Sequence, residues 1–206
     1  MKVGDNILLD RCEFRVLDIQ NNSALIITED IVEQRAYHNN FCDITWAECD
    51  LRKYLNGDFY RKFSADAKSK IIQVTNKNPD NPWYGGVNGG EDTQDNIFLL
   101  SLQEICKYFG DSTSILQNQG NRQYWKGNDK NNINRKATFM SCIWWWWLRS
   151  PGRVNRQAAY VHGFGSVGIN GNVVAFSKTS KNGGSLHPLN NLNINGGVRP
   201  ALWLSF

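Results

Sequence analysis

The chain of 206 residues is 41% hydrophobic and 20% charged, which is typical of one folded domain and argues against a disordered chain. Its longest apolar run, residues 142–148, is far shorter than the roughly 20 residues that a membrane-spanning helix needs, and its first residues lack the apolar core of a secretory signal. The net charge of +4 hides an asymmetry, because all acidic residues lie at or before Asp129 and nine basic residues follow it; either the two parts attract within one fold or the basic part faces a ligand.

Two apolar segments near the start of the chain predict a β-hairpin. Residues 14–19 alternate in part between apolar and polar side chains, and residues 24–28 are almost entirely apolar. The polar residues 20–23 between them are typical of a tight turn. We therefore expect this hairpin to form the N-terminal part of the fold.

Three segments in the first half predict short helices. Residues 51–55 place their apolar side chains on one helical face, and Asn56-Gly57 is predicted to end that helix. Ser64 is a suitable N-cap for a second helix. Ser101 and Glu104 have the spacing of a capping box, which predicts that a third helix begins there.

The segment at residues 76–96 is rich in Asn, Gly, Pro and Asp, which predicts a long ordered loop or a tethered excursion. Its acidic residues are expected to cap turns and face solvent, with a calcium site as the alternative. Those residues are Asp80, Glu91, Asp92 and Asp95. A strand over residues 96–100 is predicted to follow.

Regular structure is predicted to be sparse in the second half of the chain. Polar residues dominate positions 110–137, and short β-like segments alternate with Gly-Asn turns over positions 150–197. Residues 198–204 are apolar enough for a closing strand, in which Pro200 requires a sheet edge or a bulge. Short helices, a small antiparallel sheet and a loop-rich C-terminal half together indicate the α+β class.

The cysteine and histidine residues indicate no metal site. Five widely spaced cysteines without a C-x-x-C pair predict reduced thiols, and Cys142, beside an apolar run, is predicted to be a packed small side chain. His162 and His187 lack a second ligand at metal-binding spacing. No nucleophile elbow and no H-E-x-x-H motif occurs, so that we predict no cofactor and no catalytic residue.

Four consecutive tryptophans predict an extended segment whose neighbouring side chains point to opposite faces. Trp145 and Trp147 are predicted to fill the core. Two interpretations stay open for Trp144 and Trp146, which either pack inside or form an aromatic binding platform.

The arginines of the second half fall into two groups. Arg149 and Arg199 are expected to make internal charge-assisted hydrogen bonds. Arg153 and Arg156 lie in a loop with unconstrained neighbours, where guanidinium groups suit contact with a protein or an anion. We therefore expect the second pair to face a ligand.

Motifs spread over most of the chain resemble one family of bacterial and phage domains. They are Arg15-Val16-Leu17-Asp18-Ile19, Ile27-Thr28-Glu29-Asp30, Leu51-Arg52-Lys53-Tyr54-Leu55-Asn56, Asn76-Lys77-Asn78-Pro79-Asp80-Asn81-Pro82-Trp83-Tyr84-Gly85, Ile97-Phe98-Leu99-Leu100-Ser101-Leu102, Trp146-Trp147-Leu148-Arg149-Ser150-Pro151-Gly152, Ala158-Ala159-Tyr160-Val161 and Gly197-Val198-Arg199-Pro200-Ala201-Leu202-Trp203-Leu204. The chain resembles DUF6273-type domains, many of which are similar to variable proteins of diversity-generating retroelements. The resemblance implies a single domain over residues 1–206 with a C-type-lectin-like fold, related to that of formylglycine-generating enzymes.

In such systems, error-prone reverse transcription rewrites adenine-containing codons near the 3′ end of a gene, so that the surface changes while the scaffold stays. The resemblance therefore implies a non-catalytic binding protein with a variable segment at about residues 144–206 and a macromolecular ligand, expected to be a protein. Gly165, Val167, Gly171 and Val174 are expected to hold the scaffold. The expected ligand-binding residues are Arg153, Val154, Asn155, Arg156, His162, Phe164, Ser166, Gly168, Ile169, Asn170, Val173, Ala175 and Phe176, together with Trp144 and Trp146.

Two other functions stay open. The fold relatives suggest a sulfatase-modifying enzyme of the formylglycine-generating type, although such enzymes rely on a cysteine pair and the C-terminal half contains Cys142 alone. The basic segment after Asp129 suggests binding of nucleic acid or another polyanion, with an affinity that falls steeply with salt. The expected location is the cytoplasm or a phage virion, without membrane insertion.

Overall fold

The computed structural model describes residues 1–109, 131–175 and 195–206, which form the mixture of helices and strands that the α+β prediction requires. In chain order, the strands are β1 (Asn6–Leu9), β2 (Cys12–Gln20), β3 (Ser23–Thr28), β4 (Glu33–Arg35), β5 (Ile71–Ile72), β6 (Val74–Asn76), β7 (Thr93–Asp95), β8 (Ala137–Phe139), β9 (Cys142–Trp144), β10 (Trp146–Pro151), β11 (Gln157–Val161), β12 (Val167–Val173), β13 (Gly196–Val198) and β14 (Ala201–Ser205). The helices are α1 (Asp50–Tyr54), a π-helical turn (Leu55–Phe59), α2 (Ala65–Lys70), α3 (Leu102–Tyr108) and α4 (Asn132–Arg135).

The first sheet has the strand order β1-β2-β3-β14-β5, and each neighbouring pair is antiparallel. The predicted hairpin is confirmed as β2 and β3. Asn21 and Asn22 make its turn with φ angles of 44° and 60°, a left-handed pair that asparagine tolerates and that suits the twist of a two-residue hairpin. β3 is almost wholly buried, so this hairpin supplies part of the core.

The three predicted helices are confirmed, with one correction. Ser64 caps α2, and Ser101 and Glu104 form the capping box of α3. Asn56-Gly57 does not end the first helix, because α1 continues into the π-helical turn. The Asn56 amide donates to the backbone oxygens of Arg52 (3.2 Å) and Ile97 (2.8 Å), so this residue ties the turn to a distant segment.

The strand predicted over residues 96–100 is wrong, apart from one bridge between Phe98 and Ala201. Residues from other segments form hydrogen bonds with the backbone groups that a neighbouring strand would otherwise use. The side-chain oxygen of Asn56 accepts a hydrogen bond from the Asn96 backbone N–H at 2.7 Å. The Arg149 guanidinium donates to the Leu99 backbone oxygen, and the Arg149 backbone N–H donates to that of Leu100. The segment is therefore buried and extended without belonging to a strand.

The expectation that the acidic residues of the 76–96 segment face solvent is wrong for Asp95. Its side chain is completely buried and accepts hydrogen bonds from Trp46 (3.0 Å), Arg52 (2.6 Å), Asn76 (2.9 Å) and Thr93 (2.6 Å). A buried carboxylate that accepts this many hydrogen bonds fixes the positions of the groups that donate them. Asp95 thus connects α1 with the β6–β7 ribbon.

The second sheet has the strand order β12-β11-β10-β13-β4. β10 and β13 are parallel, whereas the other neighbouring pairs are antiparallel. The prediction that regular structure is sparse in the second half is wrong for residues 131–175, where five strands and α4 follow one another. Short strands joined by glycine-containing turns gave too weak a periodic signal for that stretch.

The C-terminal segment joins the two sheets, because β13 lies in the second sheet and β14 in the first. Arg199 and Pro200 separate them. Pro200 has no N–H to donate to a strand ladder, and its carbonyl oxygen accepts from the backbone N–H of Thr28 at 2.9 Å. The single predicted closing strand is therefore two strands. None of the helices that the structure describes is long and apolar enough to span a membrane.

Candidate recognition surface

The predicted ligand-binding residues lie around β11 and fall into two sets at its opposite ends. The loop between β10 and β11 lies at one end, and the turn between β11 and β12 lies at the other. β11 has five residues, so the two ends are about 17 Å apart at the usual rise of about 3.4 Å per residue. We call the first set the loop end (Arg153, Val154, Asn155, Arg156, Asn170 and Val173) and the second the turn end (Trp144, His162, Phe164 and Ser166).

Four residues of the expected set are buried and are corrected here. Trp146 is completely buried, and its indole N–H donates to the backbone oxygen of Arg135 at 2.9 Å. Ile169 and Ala175 are core residues. Gly168 is buried beneath Tyr160, since a Cβ there would lie 2.3 Å from the ring. These four residues are therefore part of the scaffold.

Some expected residues lie outside the part of the chain that the structure describes. Phe176 is one of them, and His187 is another. The same is true of Lys130, Lys178 and Lys181 in the basic segment, and of Gly110, which the sequence predicts to end the third helix.

The loop end is held by backbone and amide hydrogen bonds. The backbone oxygen of Asn155 accepts from the Ile44 N–H at 3.1 Å, and its side-chain amide donates to the Asn88 oxygen at 2.7 Å. Arg156 pairs with Asp43 at 3.2 Å. Arg153, Val154, Arg156 and Asn170 are exposed, so these four are the side chains that this end offers to solvent.

The turn end is a tight turn that depends on glycine. The His162 N–H donates to the Ser166 oxygen, and the Gly165 N–H donates to the His162 oxygen, both at 2.8 Å. Gly165 has a φ angle of +90°, and a Cβ at this position would lie 1.9 Å from the backbone oxygen of Asn132 in α4. Another residue would therefore strain the backbone and collide with the helix. At the tip, Phe164 is 78% exposed.

Two apolar residues that sequence reasoning missed lie beside this turn. Ile143 of β9 is 53% exposed, and its Cγ2 would lie 3.1 Å from a Cβ at Gly163. Ile133, in the helix that packs against Gly165, is 69% exposed. The sequence carried no signal for them, because their exposure depends on how the β8–β9 hairpin and α4 pack against the turn. With Phe164 they place three exposed apolar side chains around one turn, and we call these three side chains the exposed apolar patch.

The turn end rests on a series of aromatic rings that meet edge-on. The Tyr160 hydroxyl and His162 Nε2 are 3.0 Å apart, and their ring centroids are 4.6 Å apart. Tyr160 contacts Trp145 edge-on at 5.4 Å, and Trp145 contacts Trp147 at 4.6 Å. Burial raises the pKa of Tyr160 and lowers the pKa of His162. Since the usual value for histidine is near 6.5, His162 is mainly uncharged at neutral pH.

Several arginines of the basic segment are used inside the fold. Arg149 donates to the Leu99 oxygen at 2.7 Å and pairs with Glu104, and Arg135 donates to the Gly165 oxygen at 2.8 Å. Arg199 donates to the Thr28 oxygen at 2.8 Å, and burial lowers its pKa to about 10. The expectation of internal roles for Arg149 and Arg199 is confirmed, and the charge left for a polyanion is reduced.

The prediction that Cys142 is a packed side chain is wrong. Cys142 is exposed, as is Cys42, and none of the five cysteines, all of which lie in the described residues, forms a disulfide. The reason is the tight turn at Met140 and Ser141, with φ angles of 50° and 65°, which begins β9 at Cys142 on the surface. The apolar run therefore enters the core only at Trp145.

Comparison with known proteins places the chain in a family. No curated protein and no solved structure matches it. One family model matches residues 21–206 and thus covers the whole second sheet, strands β3, β5 and β14 of the first sheet, and the whole surface described above. The chain therefore belongs to the family described as Domain of unknown function (DUF6273).

Proposed function

We propose that this chain is a non-catalytic binding protein that recognises a macromolecular ligand, expected to be a protein, through its turn end. We also propose that its fold is C-type-lectin-like and that it acts as a variable protein of a diversity-generating retroelement. The loop end, on the far side of β11, is proposed as a separate contact.

The observation that carries the proposal is the exposed apolar patch at the turn end. Phe164, Ile133 and Ile143 expose 78%, 69% and 53% of their surface. Contiguous apolar side chains on a surface are typical of protein interaction sites. A large aromatic side chain on a glycine-held turn loses little conformational entropy on binding, which is why such residues are frequent anchors of interfaces.

A division between scaffold and surface also supports the proposal. Val167, Gly171 and Val174 are buried, whereas His162 and Phe164 are exposed. Exposed side chains on a rigid turn contribute little to folding and so tolerate replacement. A protein that changes its ligand by mutation needs this separation.

The variable-protein part of the proposal is tested by the genome around the gene. We expect a near-duplicate of the 3′ coding segment that differs at adenines, beside a reverse-transcriptase gene. A genome that contains neither would contradict diversification, while leaving ligand binding by the turn end as a separate question.

The binding part is tested with two displayed libraries. In one library, His162, Phe164 and Ser166 are randomised, and clones are selected against one immobilised protein such as hen egg lysozyme. We expect folded binders whose Tm stays within a few degrees of the parent. The matched library randomises the buried Val161, Val167 and Ile169 and is expected to give mostly unfolded clones. Equal loss of folding in both libraries would contradict the proposal.

A further inference from the structure

A cavity lies between the β1–β2 turn and the segment that joins the π-helical turn to α2. Its volume is about 780 Å³, within the range of about 300–1,000 Å³ that is common for small-molecule sites. The residues that line it are Asp10, Arg11, Cys12, Phe59, Lys62, Phe63 and Ser64. None of them belongs to the loop end or the turn end.

One side of this cavity is fixed by a connection between Asp10 and Ser64. The Asp10 carboxylate accepts from the Ser64 backbone N–H and from its hydroxyl, both at 2.8 Å. Ser64 in turn caps α2 through the Ala67 N–H at 3.1 Å. The hydrogen bond from the Ser64 backbone N–H, followed in size by that from the Ser64 hydroxyl, lowers the pKa of Asp10. The β1–β2 turn and α2 are thereby joined across the cavity.

The floor of the cavity is apolar. Phe59 and Phe63 are buried, and their rings meet edge-on with centroids 5.7 Å apart. Cys12 is half-buried, and burial raises the pKa of its thiol, so that the thiol is neutral at physiological pH. Phe59 belongs to the π-helical turn, a rare geometry that is frequent at functional sites.

The rim carries positive charge. Arg11 and Lys62 are exposed there. Lys62 donates a hydrogen bond to the Tyr54 hydroxyl at 3.0 Å, which raises the pKa of the amine and keeps it protonated. The Asp10 carboxylate is also charged, but both of its oxygens accept hydrogen bonds from Ser64, and the two cations leave the sum of the three charges positive. An apolar floor under two cationic groups is complementary to a molecule with an apolar body and one anionic group.

We infer that this cavity binds a small amphipathic organic anion, such as a short fatty acid or an aromatic carboxylate. The apolar body lies on Phe59, Phe63 and Cys12, and the anionic group faces Arg11 and Lys62. This site is additional to the proposed recognition of a macromolecule and does not depend on it.

The test uses Cys12 as a reporter inside the cavity. In the full chain with Cys42→Ser and Cys142→Ser, Cys12 is the remaining thiol that is not buried, and its rate of modification by a maleimide is measured. Octanoate, octanol and octylammonium are the probes. We expect octanoate to slow the reaction about tenfold at about ten times its Kd, by simple occupancy, octanol to slow it less, and octylammonium to have little effect.

Two variants decide whether the rim charges act as inferred. Arg11→Gln with Lys62→Met removes both exposed cations, and we expect it to abolish the advantage of octanoate over octanol while the Tm is retained. Lys70→Met, an exposed lysine of α2 outside the cavity, is the matched control and is expected to change nothing. Equal protection by octanoate and octylammonium, or no protection by any probe at millimolar concentration, would overturn the inference.

Discussion

At the scale of single residues, some side chains in this fold act on their neighbours in the chain, and others hold distant segments together. Ser101 and Glu104 make the capping box that their spacing predicts. Asp95 was expected in solvent, yet side chains of five residues, four of them outside β7, donate hydrogen bonds to its carboxylate. The sequence allowed Trp146 to lie in the core or on the surface. In the structure it is completely buried, and its indole N–H donates to the backbone oxygen of Arg135.

His162 gives a residue-scale prediction about pH. Although the side chain is partly exposed, one part of the imidazole lies against Tyr160, and this desolvation lowers the pKa of His162 in the folded chain, so that the unfolded chain binds the proton more readily. The contribution of His162 to stability is therefore present above pH 6.5, its usual pKa, and is lost as the pH falls through the lowered value. We expect His162→Gln to reduce the loss of unfolding free energy between pH 7.5 and pH 5, measured by urea denaturation. An unchanged pH dependence would contradict the assigned burial.

At the scale of elements, hairpins and capped helices were predictable because their signals lie within a few residues. The π-helical turn was not, since Asn56 is held there by Ile97 and Asn96, some 40 positions away in the chain. The strand predicted over residues 96–100 failed for the same reason. The candidate surface was predictable only as a set of positions; its separation into two ends follows from the antiparallel order of β10, β11 and β12.

The turn between β11 and β12 gives an element-scale prediction. Gly165→Ala combines a left-handed φ angle with a collision against the Asn132 oxygen, and we expect it to lower the unfolding free energy by more than about 2 kcal/mol. Gly86→Ala is the matched control, because Gly86 has a φ angle of +81° and a Cβ added there would meet no atom within 4 Å. We expect about 1 kcal/mol there. Similar losses at both glycines would contradict the packing of α4 against the turn.

At the scale of the whole molecule, the two sheets share the C-terminal segment. β13 pairs with β10 and β4, and β14 pairs with β3 and β5. The short link through Arg199 and Pro200 leaves little room for one sheet to move without the other. One domain over residues 1–206 stays a prediction, and with this arrangement it leads us to expect that the two sheets unfold together.

Truncation after Pro200 tests that expectation. The truncated chain lacks β14, which lies between β3 and β5 in the first sheet. We expect both sheets to be lost together, so that far-UV circular dichroism and tryptophan fluorescence report the same unfolded chain. In the intact chain, the two signals are expected to give coincident urea transitions. A truncated chain that retains a folded second sheet would show two independent units.

The series of aromatic rings beneath the turn end has a practical consequence. His162 touches Tyr160, and Tyr160 touches Trp145, so that a chain of ring contacts leads from the surface to a tryptophan with little solvent exposure. Any molecule that displaces the imidazole also alters the surroundings of that indole. The protein thus contains its own optical reporter, and titrations at this site can be followed by intrinsic emission without attaching a dye.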